Sequence, residues 1–157
     1  MIKVAAGCLR VITAALYYAI FALGGMGISL LFFTLIRIFI KNRTYRTALS
    51  RKLTSLSFRL YLFTGELFQI FSIRFKGLEK LEKDRGVLYI ANHPSLLDVV
   101  IFISRTPNAC CLIKASILHN PFMSGIARCN DYIANDEDPR VIMDKSNQAL
   151  KLSILLF

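Results

Sequence analysis

Val87-Leu-Tyr-Ile-Ala-Asn-His-Pro-Ser-Leu-Leu-Asp98 is an apolar run that changes character at a proline. Residues 87–91 are short, apolar and rich in β-branched and aromatic side chains, which predicts a buried strand. Pro94 is suited to the first position of a helix, where its missing N–H costs nothing. The spacing extends that helix to about Ser104. A strand that hands over to a helix in an α/β sheet is a place where ligands bind.

Toward the carboxyl end the same alternation continues. Residues 110–114 predict a strand, Pro121 opens a short helix ending near Arg128, and 132–134 predict a third strand. Asp138-Pro139 reads as an N-cap and first turn for a helix to about Lys151. Residues 153–157 are a further apolar strand. Strands alternating with helices predict an α/β fold. Toward the amino end, 73–76 predict a short strand, followed by a solvated turn with Lys80, Glu82, Lys83, Asp84 and Arg85.

Residues 50–73 predict a helix, with Leu53, Leu56, Leu60 and Phe63 at spacings of three and four. Phe58, Tyr61, Leu62, Leu67, Phe68, Ile70 and Phe71 broaden its apolar face, and Arg59 and Glu66 interrupt it. That pattern predicts an amphipathic helix lying in a membrane interface, with a second span as the alternative. Residues 11–36 hold no charge over 26 positions, longer than the roughly 20 apolar residues a spanning helix needs. The expected organisation is therefore a transmembrane helix in 1–40, a basic segment and membrane-associated helix in 41–72, and a partial catalytic domain in 73–157.

The net charge of +10 accompanies a mean hydropathy of +0.51. Nine basic residues precede the first acidic one, Glu66, while the remainder carries a net charge of only +1. The excess thus adjoins the most apolar stretch, which points to anionic membrane lipid as the partner and away from nucleic acid. Arg37, Lys41, Arg43, Arg46, Arg51 and Lys52 follow the uncharged run, so the positive-inside rule places the carboxyl side in the cytoplasm of a single-pass inner-membrane protein. Cys8, Cys110, Cys111 and Cys129 form no C-x-x-C pair and read as reduced thiols.

His93 is the chemical focus. An imidazole takes a proton near neutral pH. Asp98, five residues on, is placed to turn back to it, fix its tautomer and stabilise the imidazolium. Ser95 falls inside the predicted helix, two residues from the base, so it is not read as a nucleophile. A His/Asp pair without a protein nucleophile suits activation of a substrate hydroxyl. The spacing alone also fits a loop histidine beside a surface aspartate. His93, Asp98 and His119 match no standard metal-ligand set, and no metal is expected.

Ala91-Asn-His-Pro-Ser-Leu-Leu-Asp98 resembles the first motif, N-H-x-x-x-x-D, of the glycerolipid acyltransferase family, which includes 1-acylglycerol-3-phosphate acyltransferases. The resemblance covers about residues 77–157. It implies that His93 is the general base and Asp98 its partner, and that Asn92 and Ser95 contact substrate. It implies acyl-CoA or acyl-carrier protein as co-substrate and no further cofactor. The acceptor implied is a lysophospholipid, in phospholipid biosynthesis. Lys114 and Asn120-Pro-Phe-Met-Ser-Gly125 resemble the stretch between the first and second motifs, where Lys114 reads as a substrate-binding residue or as a plain strand-end lysine.

Asp131-Tyr-Ile-Ala-Asn-Asp136 stands at the second motif, G-x-I-F-I-D-R, and matches it at Ile133 and Asp136. Glu137 occupies the place of the arginine. Some relatives with Asn-Asp there act in polyene-lipid or other specialised acylation pathways, which leaves the implied acceptor open. The third motif, F-P-E-G-T-R, would begin at Phe157, so a catalytically inactive relative is the second reading, and little turnover is expected from these 157 residues alone.

Overall fold

The uncharged run falls across two helices. The computed structural model describes residues 2–27, 31–77, 81, 86–92, 95–120, 123–151 and 155–156. Helix α1 is Ile2–Gly27 and α2 is Phe33–Phe39. Residues 28–30, inside the expected span, lie outside the described residues. Among the described residues no helix is long and apolar enough to cross a membrane. Along α1, Val11, Leu16, Ile20 and Leu23 are exposed. Two of its aromatic side chains turn inward: Tyr17 stacks on Tyr61 at 4.8 Å between centroids, and Phe21 meets the same ring at 4.0 Å.

Helix α3, Arg43–Leu67, starts earlier than the predicted 50–73. Asn42 explains the start, because its side chain accepts the Tyr45 N–H at 3.1 Å and satisfies one of the free amides of the first turn. The end follows from Gln69, whose φ of 55° turns the chain while the Ile70 N–H bonds to Gly65 O at 2.9 Å. The face α3 buries is mostly polar or small: Thr47, Ser50, Arg51, Thr54 and Ser55 lie inward, ahead of Phe58 and Leu62. Leu56, Leu60, Phe63 and Leu67 face outward, each 60–62% exposed. A helix of a water-soluble domain shows the opposite arrangement.

Helix α4, Leu96–Arg105, packs along α3. Phe58 and Leu62 form one core cluster with Val100, Ile103 and Cys111. Ser55 Oγ and Arg59 Nε both donate to Ser104 O, at 3.0 and 2.6 Å. Deeper in, Arg51 is 5% exposed and donates to Asn130 O at 3.0 Å, tying α3 to the far side of the domain.

Beyond α4 come β1 (Ala109–Cys110), β2 (Leu112–Ile113), a 3-10 helix (Ala115–His119), α5 (Ser124–Cys129), β3 (Ile133–Ala134), α6 (Pro139–Lys151) and β4 (Leu155–Leu156). The alternation is as predicted, and both pairings are parallel: Ala109 faces Leu155, and Leu112 faces Ile133. The extent differs. The structure is mostly helical with a small sheet component, two pairs of short strands. The predicted strand 110–114 divides at Cys111, because β1 pairs with β4 while β2 pairs with β3.

The predicted buried strand at 87–91 is corrected: it is extended chain with a single bridge residue, Leu88, and Ile90 is 90% exposed. A parallel strand needs cover on both faces. Here Tyr89 rests edge-on against Phe102 of α4 at 5.5 Å, while Ile90 turns to solvent. The predicted strand at 73–76 is likewise irregular chain, held at Ile73 N–H by Glu66 Oε1 at 3.0 Å. Helix α6 agrees with prediction, and Asp138 Oδ1 accepts the Arg140 N–H at 2.8 Å. Of the strand expected at 153–157, only 155–156 lie within the described residues.

Cys110, Cys111 and Cys129 are free and buried, whereas the side chain of Cys8 lies outside the description. Burial pushes the Cys111 thiol up to about 12, and raises Cys110 and Cys129 as well. These thiols stay protonated in the fold, but in the unfolded chain they ionise near the usual value of about 8.5. Their contribution to stability is therefore complete below about pH 8.5 and is lost as pH rises toward 12. The unfolding temperature should fall steadily from pH 8.5 to 10.5, and a Cys111→Ala variant should show a shallower fall. Equal slopes for the two proteins would contradict this account of the thiols.

Candidate active site

Ser95 is the N-cap of α4, with an extended backbone at φ −133° and ψ 156°. This corrects its expected place inside the helix. Ser95 and Asp98 form a capping box: the Ser95 N–H and Oγ–H both reach Asp98 Oδ2, at 3.0 and 2.8 Å, and the Ser95 side chain caps the Asp98 amide. The capping residue satisfies free amides of the first turn, and the carboxylate sits where the helix dipole favours negative charge. Asp98 is half-buried and turned back to Ser95 at the start of the helix. Both Ser95 bonds use Oδ2, so neither occupies Oδ1. His93 and Pro94 lie outside the described residues, and with them the predicted bond from Asp98 to the imidazole.

An open groove of about 240 Å³ runs beside this capping box. Asn92 and Asp98 line one end, Phe75, Ile101 and Phe102 supply apolar wall, and Arg105 lies at the other end. Asp98, Ile101, Phe102 and Arg105 follow the i, i+3, i+4, i+7 spacing of one helix face. The groove thus unites two of the predicted residues, Asn92 and Asp98. Ser95 borders it through its bonds to Asp98. Phe75, Phe102 and Arg105 were not singled out from sequence: helical spacing from Asp98 puts Phe102 and Arg105 on its face, but nothing in the sequence brings Phe75 to them.

Lys114 is not part of the groove's wall. It caps the 3-10 helix at the carboxyl end of β2 and is exposed. Beside it, Asn135 Oδ1 accepts the Ala115 N–H at 3.3 Å, joining the ends of β2 and β3. Glu137, where the second motif would carry arginine, is bonded to Lys145 at 2.6 Å. Asp131 stands at the motif's glycine position and has a φ of 51°, the left-handed region that aspartate tolerates better than most side chains. Its carboxylate accepts from Thr47 Oγ1 at 3.0 Å and Arg43 Nε at 3.1 Å. The hydrogen bond and the charge of Asp131 together raise the Arg43 pKa.

A protein-family model described as Acyltransferase matches residues 72–153, more than half of the chain. The chain belongs to the acyltransferase family. The family is the one typified by 1-acylglycerol-3-phosphate acyltransferases. The matched residues contain the groove from Phe75 to Arg105, the capping box, Lys114 and the second-motif segment. No curated protein and no solved structure matches the chain. The acyltransferase domain supports acyl transfer as its general activity.

Proposed function

We propose that the chain transfers a fatty acyl group from acyl-CoA or acyl-carrier protein to the hydroxyl of a lysophospholipid such as 1-acylglycerol 3-phosphate. The observation that carries this reading is the groove beside Asp98, inside the matched domain, with a carboxylate held at a helix start and an apolar wall. His93 acts as general base on the acceptor hydroxyl, Asp98 orients it, and Asn92 contacts substrate. The hydroxyl oxygen forms the new ester bond, the thioester C–S bond breaks, and the proton taken by His93 passes to the leaving thiolate. Such chemistry requires no protein nucleophile, and the buried, protonated cysteines offer none.

The acceptor is met at a membrane. Four large apolar side chains of α3 face outward while Thr47, Ser50, Arg51, Thr54 and Ser55 face the protein. Contiguous exposed apolar surface of that kind marks contact with lipid or a partner. α1 adds Val11, Leu16, Ile20 and Leu23 to the exposed apolar surface. Arg37, Lys41, Arg43 and Lys52 complement anionic headgroups on the cytoplasmic face of the inner membrane. Arg51 is buried and contributes to the fold instead.

The test uses carbonate-washed membranes from cells producing the full chain, supplied with labelled acyl-CoA or acyl-carrier protein and a panel of lysophospholipids. Product above the level of membranes lacking the chain would support this reading against the expectation of little turnover from these 157 residues. Loss of the chain in the wash would overturn the membrane assignment. Retention without transfer to any acceptor would favour the non-catalytic relative.

A further inference from the structure

Arg105 has a peculiarity that its position in the helix does not explain. Its Nε is buried and, among the described residues, meets no hydrogen-bond partner. Its guanidinium lies over the Phe75 ring, 4.3 Å from the centroid. A basic residue in the last turn of a helix is ordinary, since it complements the helix dipole. That role needs neither a buried nitrogen nor a stack, and a solvated side chain would perform it equally well. Stacking fixes the plane of the guanidinium and leaves its N–H edge to face a ligand, the geometry in which arginine binds phosphate or carboxylate as a fork.

The surroundings agree. Among the described residues of the groove wall, Arg105 is the single cation. It lies seven residues from Asp98 on the same helix face, two turns or about 10 Å along the axis. Both side chains lean toward the amino end of the helix, so their heads stay separated by about the same interval. The interval leaves room for a hydroxyl and an anionic group borne on one short carbon backbone.

We propose that Arg105 is a specificity-determining residue of the acceptor site, holding the phosphate monoester of a hydroxyl-bearing lipid while the hydroxyl lies at the Asp98 end. The inference rests on the acyl-transfer reading of the groove, and its test separates the two. Labelled 1-acylglycerol 3-phosphate and uncharged 1-acylglycerol are each bound to the detergent-solubilised full chain. The wild type should bind the phosphate form at least about tenfold more tightly, a gain within reach of one charge-assisted bidentate contact. Arg105→Gln and Arg105→Met should both erase that preference and leave binding of the uncharged lipid unchanged. Methionine keeps an apolar stem on Phe75, so it provides a folded neutral variant if glutamine disturbs the packing. His93→Ala should keep the preference. A preference that survives in either folded neutral variant, or that the wild type lacks, overturns the role of Arg105. Loss of transfer in the wild type with the preference intact overturns the catalytic reading alone.

Discussion

His93→Ala should lower acyl transfer by roughly two to four powers of ten, the range that a positioned general base contributes, and leave membrane retention unchanged. Asp98→Asn should cost roughly a hundredfold or more through a different route. The Ser95 N–H and Oγ–H both donate to Asp98 Oδ2. In the variant these donors demand an acceptor, so the amide oxygen takes the Oδ2 place and the NH2 group takes the Oδ1 place. If Oδ1 accepts from the imidazole as proposed, a donor then faces the ring in its place and holds it in the wrong tautomer for a base. Helix capping survives the change, so the unfolding temperature should move little. Initial rates with saturating donor, normalised to the amount of chain in the membrane, measure both effects. Transfer by His93→Ala at the wild-type rate would remove histidine from the mechanism.

The capping box shows how much of the site could be read in advance. Ser95 and Asp98 stand three apart ahead of an apolar run, a local pattern visible in sequence, although Pro94 put the expected helix start too early and Ser95 inside it. Helix α6 was legible for the same reason, because Asp138 and Pro139 mark its start. The beginning of α3 was misplaced: the leucine spacing starts later than Asn42, whose cap adds about two turns of helix. The strand at 87–91 failed for a tertiary reason. An apolar run is a buried strand only if both of its faces find cover, and the sequence does not state that Ile90 finds none. Arg105 could not be weighted from sequence, since its distinction is the Phe75 ring, which reaches it from a segment thirty residues earlier. The outward apolar face of α3 shows the same limit. Periodicity located a leucine stripe at Leu56, Leu60 and Phe63, but which stripe faces the protein depends on Phe58, Leu62 and the polar cluster around Arg51.

That division of faces leads to a large stability effect. Phe58→Ala should lower the unfolding free energy by about 3–5 kcal/mol, the usual cost of removing a buried aromatic ring. Phe58 is 7% exposed and packs with Leu62 against Val100 and Ile103 of α4, so the lost ring leaves a void at the seam between the two helices. Alanine's better helix propensity returns at most about 0.7 kcal/mol, too little to change the sign. Against a typical total of about 5–15 kcal/mol, the variant should be marginal at 37 °C. Function should follow through geometry: α4 carries Asp98 and Arg105, and its hold on α3 fixes both relative to the groove. Denaturant titration in detergent measures the stability, and transfer at low temperature, where the folded fraction recovers, should return much of the activity. Leu60→Ala is the comparison, on the outward face at 62% exposed. It should change stability in detergent by no more than about 0.5 kcal/mol yet weaken partition into vesicles, if that face meets lipid as proposed. A Phe58→Ala loss below about 1 kcal/mol, or a Leu60→Ala loss as large as that of Phe58→Ala, would mean that α3 presents its faces the other way round.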